Sequence, residues 1–320
     1  MPASARKKVI IDTDPGIDDA MAILIAMESP EVEIIGLTTV HGNLPTREAT
    51  KNALRLMELS GHDDVPVAEG SNKLFNGEDV VHVASFVHGD DGLGNTNQPE
   101  PKGAAIEESA VDFLVNTILR HPGEVYVLAL GPLTNVALAL QKVPGIANKW
   151  AGLVCMGGAF FMNGNVNPAS EANIRSDPEA ADFVFRKGSN ITAIGLDVTC
   201  ECIFHKKEIL GLKGKGKYGD FLRSIIQFYW EFYRENYFVD GVVPHDAVAL
   251  VALIFEDLFE FREGGVRVAT EGICRGQTLM DSGWKHWRMK TEWSDCPKVK
   301  VASGVNHQGV MDIFHARITG

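Results

Sequence analysis

Short apolar runs alternate with longer amphipathic segments along the chain, and this alternation predicts strands followed by helices. The runs are typical of buried strands and lie at Val9–Asp12, Val32–Val40, Glu124–Leu130, Gly152–Met156 and Ile191–Val198. Segments with helical spacing lie between or after them, at Asp18–Met27, Pro45–Ser60, Glu107–Arg120, Pro178–Arg186, Phe221–Tyr237 and His245–Ile254. The tail from Gly265 to Ile318 is expected to form short strands and turns.

The repeated strand–helix order implies a mainly parallel sheet with helices on both faces, a Rossmann-like open α/β fold. No repeat, linker or low-complexity segment interrupts it, so we expect a single domain over residues 1–320. Ligands of such sheets bind beyond the carboxyl ends of the strands. Asp14, Asn43, Leu130 and Met156 lie at the ends of predicted strands, and we therefore expect them at one edge of the sheet.

The stretch from Asp12 to Asp19 is the most unusual polar segment, with four carboxylates in eight residues. Pro15 and Gly16 bend the chain in its middle, and Asp18 lies in the first turn of the predicted helix, where the helix dipole offsets part of the charge. A hard cation would relieve the remaining repulsion, and oxygen ligands suit Ca²⁺ or Mg²⁺. The alternative is a capped acidic turn in solvent.

Composition limits the classes of binding partner and the cellular compartment that we expect for the protein. A net charge of −12 argues against nucleic acid or an anionic membrane as partner, and it is compatible with a small neutral substrate. Five cysteines without zinc spacing predict reduced thiols in the cytoplasm. No segment has the length of a transmembrane helix, and the first strand begins too early for a signal peptide.

Six motifs follow one another along the chain: DTDPGIDD (12–19), HGN (41–43), VHGDDGLG (87–94), ALGPLTN (129–135), MGGAFFMNGNVNPASEANI (156–174) and PHDAVAL (244–250). Together they resemble the inosine–uridine-preferring nucleoside hydrolases. GNVNPASEANI and GICRG (272–276) are most similar to the plant-type branch. The resemblance implies Ca²⁺-dependent hydrolysis of uridine, inosine, xanthosine and adenosine-type nucleosides, in purine and pyrimidine salvage, by a homodimer or homotetramer.

The resemblance also assigns the metal ligands and the base that activates water. Asp14 matches the general base, which holds water against the ribose C1′ while it contacts the metal. Asp19 matches a bidentate Ca²⁺ ligand, and Asp246 matches a further ligand. Leu130 matches a position that offers its backbone carbonyl, where many members have threonine. For Asp12, inside the strand, a structural and a catalytic role are both open.

The substrate contacts implied by the resemblance involve Asp18, Asn43, Met156, Asn165, Glu171 and Asn173, most of them on the ribose hydroxyls. The last three lie in a stretch too irregular for a helix, where amides and a carboxylate can pair with hydroxyls. Ordinary turn chemistry is the alternative for this stretch. Ala172 departs from the aromatic residue common in the family, so packing beneath the ribose is expected to differ.

The base pocket is expected to contain two histidines. His245 resembles a leaving-group acid, since imidazole titrates near neutrality; alternatively, it orients Asp246. His88, in the long 72–103 loop, matches a second histidine near the base; alternatively, it is an exposed loop residue.

An aromatic stripe completes the predicted pocket. Trp230, Tyr233 and Tyr237 are spaced i, i+3, i+7, which places them on one helix face. This face either packs in the core or stacks on the base, and Asp240 is expected to contact a base edge.

Two other functions compete with hydrolysis of nucleosides. VIIDTD (9–14) also matches the start of haloacid-dehalogenase-type phosphatases, but that function leaves His245 and Asp246 unexplained and the chain lacks a basic phosphate grip. A nucleoside-binding protein without turnover would keep the ribose contacts. It would need neither Asp14 nor His245 for binding alone.

Overall fold

The structure, a computed structural model, describes residues 6–80 and 83–320. The strands in these ranges are β1 (Lys7–Thr13), β2 (Val32–Thr39), β3 (Val67–Ala68), β4 (Val125–Ala129), β5 (Gly152–Met156), β6 (Ile191–Ile194), β7 (Phe204–His205), β8 (Gly241–Val242), β9 (Phe259–Val268), β10 (Thr278–Asp281) and β11 (Lys298–Val305). The helices are α1 (Ile17–Met27), α2 (Thr46–Ser60), α3 (Ser85–His88), α4 (Ala110–Arg120), α5 (Thr134–Lys142), α6 (Ala172–Ser176), α7 (Pro178–Lys187), α8 (Leu196–Thr199), α9 (Lys206–Gly211), α10 (Gly219–Asn236), α11 (His245–Ile254) and α12 (His307–Thr319).

Nine of these strands form one sheet in the order β10-β9-β11-β6-β5-β4-β1-β2-β3. Every pairing from β11 to β3 is parallel, whereas β9 and β10 add an antiparallel edge. β7 and β8 form a separate antiparallel pair. The prediction of a mainly parallel α/β sheet is confirmed.

The two faces of the sheet support two hydrophobic cores. Val9 and Ile11 of β1 belong to the core that contains residues of α1, α10 and α11, whereas Ile10 belongs to the core of α4, α5 and α7. Successive side chains of a strand point to opposite faces, so an uninterrupted apolar run fits a strand buried on both sides. Helices on both faces, as predicted, follow from this pattern.

The carboxyl-terminal part differs from its prediction. The expected short strands and turns are present in part, as β10 and the turns around it, but β11 is a strand of eight residues and α12 is a helix. Phe314 and Ile318 of α12 are buried, and Asn306 caps the helix by accepting a hydrogen bond from the N–H of Gly309 at 3.1 Å. Val310, Phe314 and Ile318 have helical spacing after this cap, a signal that the prediction missed. The predicted strand 191–198 likewise ends early, because α8 occupies its second half.

The carboxyl ends of β2, β1, β4 and β5 lie side by side in the sheet. Leu130 donates its N–H to the carbonyl of Asp12 at 2.7 Å, and Val40 donates to Thr13 at 3.1 Å. The loops after these strands therefore start from one common edge, as expected from the strand order. Among the described residues, no helix has both the length and the apolar character to cross a bilayer.

Candidate active site

Four buried carboxylates meet at this edge. Asp18, Asp19 and Asp246 each bring one oxygen within 4.8 Å of the others. Burial raises the pKa of Asp246, and the charges of Asp18, Asp19 and Asp14 raise it further. Burial also raises the pKa of Asp14, as does the charge of Asp19. Burial and Asp19 together raise the pKa of Asp18 to about 8. The cluster is electrostatically costly unless a cation neutralises it.

Asp14 is held between two glycines. A Cβ at Gly42 would lie 2.1 Å from its Oδ2, and one at Gly131 would lie 2.3 Å from its Oδ1, so only glycine fits on either side. The backbone N–H of Asn43 donates to Oδ2 at 2.6 Å. Oδ1 is buried and has no hydrogen-bond partner among the described residues. One oxygen is therefore fixed, and the other is available to a water molecule or a cation.

Asp19 is oriented by three donors. Its Oδ1 accepts from the hydroxyl of Thr13 at 2.5 Å. Its Oδ2 accepts from the N–H of Gly16 and from the side-chain amide of Asn43, each at 3.0 Å. Such donors orient a metal ligand and are part of the design of metal sites in general. Asp246, in the first turn of α11, brings its carboxylate from the other end of the chain.

The donor set fits a hard divalent cation. The carboxylates of Asp18, Asp19 and Asp246 offer oxygen ligands, which Ca²⁺ and Mg²⁺ prefer. The Leu130 carbonyl already accepts a hydrogen bond from the amide of Asn173 at 2.6 Å, but a carbonyl oxygen has a second lone pair. Asp18, predicted only as a ribose contact, also belongs to the cluster.

A cavity of about 1310 Å³ opens above the cluster. It is lined by most of the residues that the sequence singled out: Asp18, Asn43, His88, Leu130, Met156, Asn165, Glu171, Asn173, Tyr233, Tyr237, His245 and Asp246. Asp14 and Asp19 are buried beside these residues and do not line the cavity themselves.

The segment expected to contact ribose contains a short helix, which corrects the expectation of an irregular stretch. Glu171 caps α6, and it accepts hydrogen bonds from the N–H groups of Gly158, Asn173 and Ile174 at 2.8–3.0 Å. Asn165 accepts from the N–H of Ala172 at 2.9 Å. The carboxylate cap rather than the hydrophobic pattern starts this helix, and for that reason spacing alone did not reveal it.

His88 is buried, so the alternative of an exposed loop histidine is wrong. It ends the short helix α3 and stacks on Tyr229, with ring centroids 5.4 Å apart. Its Nδ1 accepts a hydrogen bond from the N–H of Ile17 at 3.1 Å, which leaves the ring proton on Nε2. Burial and, to a smaller extent, the charge of His245 lower the pKa of His88 to about 3, so the ring is neutral near pH 7.

His245 takes part in a chain of buried hydroxyl groups. Its Nδ1 lies 2.7 Å from the hydroxyl of Thr199, and its Nε2 lies 2.8 Å from the hydroxyl of Tyr233. The hydroxyl of Tyr229 lies 3.4 Å from that of Tyr233. Burial lowers the pKa of His245 to about 4. Sequence reasoning missed Thr199 and Tyr229, and no motif contained a signal for Thr199.

The aromatic face of α10 is rotated from the predicted one. Tyr229, Tyr233 and Tyr237, spaced i, i+4, i+8, line the cavity, and Tyr237 stacks on Tyr233 with centroids 4.9 Å apart. Trp230 lies off the cavity and donates its indole N–H to Asp240 at 3.1 Å. The expectation that Asp240 contacts a base edge is therefore corrected: its carboxylate accepts from Trp230, and it does not line the described cavity.

A parallel α/β sheet with a buried acidic cluster under a large cavity at its carboxyl edge defines a metal-dependent α/β enzyme. The family model described as inosine-uridine preferring nucleoside hydrolase matches residues 9–312, and the chain belongs to this family.

Three relatives refine the assignment. A protein named probable uridine nucleosidase 1, from Oryza sativa subsp. japonica, is 49% identical over 307 residues, covering 96% of this chain and 94% of the relative. Uridine nucleosidase 1 from Arabidopsis thaliana is 47% identical over 313 residues, covering 98% and 93%. The solved structure of a plant nucleoside hydrolase superposes with a TM-score of 0.97 at 44% identity, covering 99% and 100%.

The protein is thus a nucleoside hydrolase of the plant type, an enzyme that hydrolyses ribonucleosides. The phosphatase and the non-catalytic binding protein, the two competing functions, are both set aside by this result.

Proposed function

We propose that the enzyme hydrolyses the N-glycosidic bond of uridine in a Ca²⁺-dependent reaction, with inosine, xanthosine and adenosine-type nucleosides as further substrates. The names of the plant relatives support uridine. The observation that carries the proposal is the buried Oδ1 of Asp14, which has no hydrogen-bond partner among the described residues, in a carboxylate whose charge interacts with those of Asp18, Asp19 and Asp246.

Asp14, Asp19, Asp246 and the carbonyl of Leu130 are the proposed ligands of Ca²⁺. When bound, Ca²⁺ supplies a Lewis acid and an anchor for ribose hydroxyls. The same carboxylates repel one another, and this repulsion favours binding of a cation at this position over any neutral occupant.

Asp14 is the proposed general base. Cleavage of an N-glycosidic bond develops positive charge on the ribose while water attacks C1′. Because Asn43 fixes Oδ2, the free Oδ1 can accept the proton of that water without a change of rotamer. Burial raises the pKa of Asp14 above its ordinary value, and a raised pKa makes a carboxylate a stronger base.

The proposed ribose contacts line the cavity beside the carboxylate cluster. Asp18, Asn43, Asn165, Glu171 and Asn173 offer the amide and carboxylate groups that pair with hydroxyls. Met156 lines the same part of the cavity and gives the sugar an apolar surface.

The departing base is assisted by neutral groups. His245 lies next to the hydroxyl of Tyr233, so a proton can pass along this chain toward the base. His88 offers its Nε2–H from the other side, and Tyr233 and Tyr237 provide ring faces for stacking. A homodimeric or homotetrameric assembly, a cytoplasmic location and a role in nucleoside salvage complete the proposal.

A panel of nucleosides tests the proposal. The full chain is incubated with CaCl₂ and uridine, inosine, xanthosine, adenosine or 2′-deoxyuridine, and free base and ribose are quantified by chromatography. We expect equal amounts of uracil and ribose from uridine, little product from 2′-deoxyuridine, and none after chelation. Turnover of uridine that is unchanged after metal removal, or product from the other nucleosides alone, would contradict it.

A further inference from the structure

The turn between β9 and β10, residues 269–277, contains the plant-type GICRG motif. The proposed chemistry gives this motif no role. Arg275 of this turn lines the cavity. Its two terminal nitrogens donate to the two carboxylate oxygens of Glu179, at 2.5 and 2.8 Å, and it also donates to the carbonyl of Thr270. A two-point pair of this kind fixes geometry as well as charge. Three of the five N–H donors of the guanidinium are therefore engaged with protein atoms.

The same turn presses against the segment that is proposed to contact ribose. Gly276 has φ of +89°, and a Cβ there would lie 2.9 Å from the Cβ of Ser170 and 3.0 Å from the Cα of Arg175. Only glycine adopts this backbone conformation easily and permits this approach. Ser170 precedes Glu171 and Arg175 follows it four residues later, so the turn packs against the segment that contains Glu171.

Two anchors fix the turn. At one end, the hydroxyl of Thr278 donates to the carbonyl of Ala159 at 2.9 Å and accepts from its N–H at 3.1 Å, next to the end of β5. Three residues earlier, Arg275 pairs with Glu179 in the first turn of α7. Residues 160–176 connect β5 to α7 and lie between Ala159 and Glu179 in sequence. The turn therefore contacts the chain before and after this segment.

The inner part of the segment is buried and anchored, since Glu171 accepts from the N–H of Gly158 and Asn173 donates to the carbonyls of Leu130 and Met156. Its outer part is exposed, with Val166 at 54%, and the described hydrogen bond of the Asn165 side chain, from the N–H of Ala172, lies within the segment. A loop with few buried contacts depends on its neighbours for a fixed position.

We propose that Arg275 is a positioning residue for the ribose site: its pair with Glu179 holds the 269–277 turn against residues 164–176 and so places Asn165 in their exposed outer part. The inference rests on the proposed function, in which Asn165 contacts ribose. A contact that holds substrate and transition state equally raises KM and spares kcat when it is displaced, and this is the effect expected for Asn165.

The experiment compares Arg275→Ala with the wild type on uridine and on inosine. We expect KM to rise about tenfold on both substrates, with kcat within about twofold of wild type. The equal rise on two different bases is the decisive readout, because a support of the sugar site is blind to the base. Arg275→Lys should fall between the two proteins, since an ammonium cannot form the two-point pair.

Two further variants test the pair itself. Glu179→Gln should raise KM as Arg275→Ala does, and the double variant should be no worse than either single one, because both remove the same interaction. Arg186→Ala is the matched control: Arg186 lies on the same helix and pairs with Asp182 at 3.4 Å, outside the cavity, so its KM should be unchanged.

Asn165→Ala separates this inference from the function on which it rests. If Asn165→Ala leaves KM unchanged, the ribose role fails and the inference falls with it. If Asn165→Ala raises KM while Arg275→Ala stays within about twofold of wild type, only the inference is overturned. A loss confined to kcat, or to one base, would overturn it as well. Should Arg275→Ala not fold, Arg275→Lys and Glu179→Gln decide by the same criteria.

Discussion

Replacing Asp14 with asparagine keeps the shape of the side chain and changes what one atom can do. The N–H of Asn43 lies 2.6 Å from Oδ2 and requires an acceptor there. The carbonyl oxygen of the new amide must therefore take the Oδ2 position, and its NH₂ group takes the position of Oδ1. A donor then stands where the proposed mechanism needs a proton acceptor.

Asp14→Asn should lower kcat but raise the stability of the protein without metal. Loss of a general base lowers kcat by about 10²–10⁴-fold, equivalent to about 3–5 kcal/mol in the barrier. Stability without metal should instead increase. Unit charges about 4 Å apart repel by about 4 kcal/mol at an effective dielectric constant of 20. At a pH above the raised pKa of Asp14, the variant removes one charge from a group whose other members lie within 4.8 Å of one another.

The assay measures uracil release from uridine at saturating CaCl₂, and thermal unfolding in EDTA. Asp182→Asn is the matched control, because Asp182 is also a buried carboxylate but pairs with Arg267 at 2.7 Å, away from the cavity. The control should lose thermal stability and keep its kcat. If Asp14→Asn retained more than about a tenth of the wild-type kcat, the assignment of the general base would be refuted. A lower unfolding temperature than wild type in EDTA would refute the electrostatic argument.

Three more predictions concern the cation, the leaving group and pH. Chelation followed by dialysis should abolish activity, and Ca²⁺ at about 100 times its dissociation constant should restore it and add about 2.7 kcal/mol of stability; a Tm that ignores Ca²⁺ would contradict the site. His245→Ala should impair inosine more than p-nitrophenyl riboside, whose leaving group needs no proton, and equal losses on both would exclude leaving-group assistance. Burial lowers the pKa of His41 from 6.5 to about 4, so it contributes stability that is present above pH 6.5 and is lost as the pH falls toward 4. His41→Gln should reduce the acid loss by about 3 kcal/mol between pH 7 and 4, measured by urea unfolding, and a loss as steep as that of wild type would refute this assignment.

The sequence was most informative where short-range rules determine structure. Apolar runs of strand length predicted the central strands, and the parallel order predicted that Asp14 and Asn43 meet, which their 2.6 Å hydrogen bond now shows. This inference needed no side-chain detail, because the carboxyl ends of adjacent parallel strands share an edge.

The details that depend on packing could not be predicted. Spacings of i, i+3, i+7 and i, i+4, i+8 both describe one helix face, and only the contacts of α10 decide that Tyr229 and not Trp230 lines the cavity. Thr199, which is 46 residues from His245 in sequence, lies at the end of the short helix α8. The predicted strand pattern did not include this helix.

The side chain of Asn173 has two roles in the proposed site. Its amide nitrogen donates to the carbonyl of Leu130 at 2.6 Å and to that of Met156 at 3.1 Å, and it thereby ties the tips of two neighbouring strands together. The side chain proposed to contact ribose thus also holds the carbonyl of Leu130, which is proposed to bind the ion. A substitution of Asn173 should therefore change both sugar preference and ion affinity, and a variant meant to change sugar preference alone should be made at Asn165.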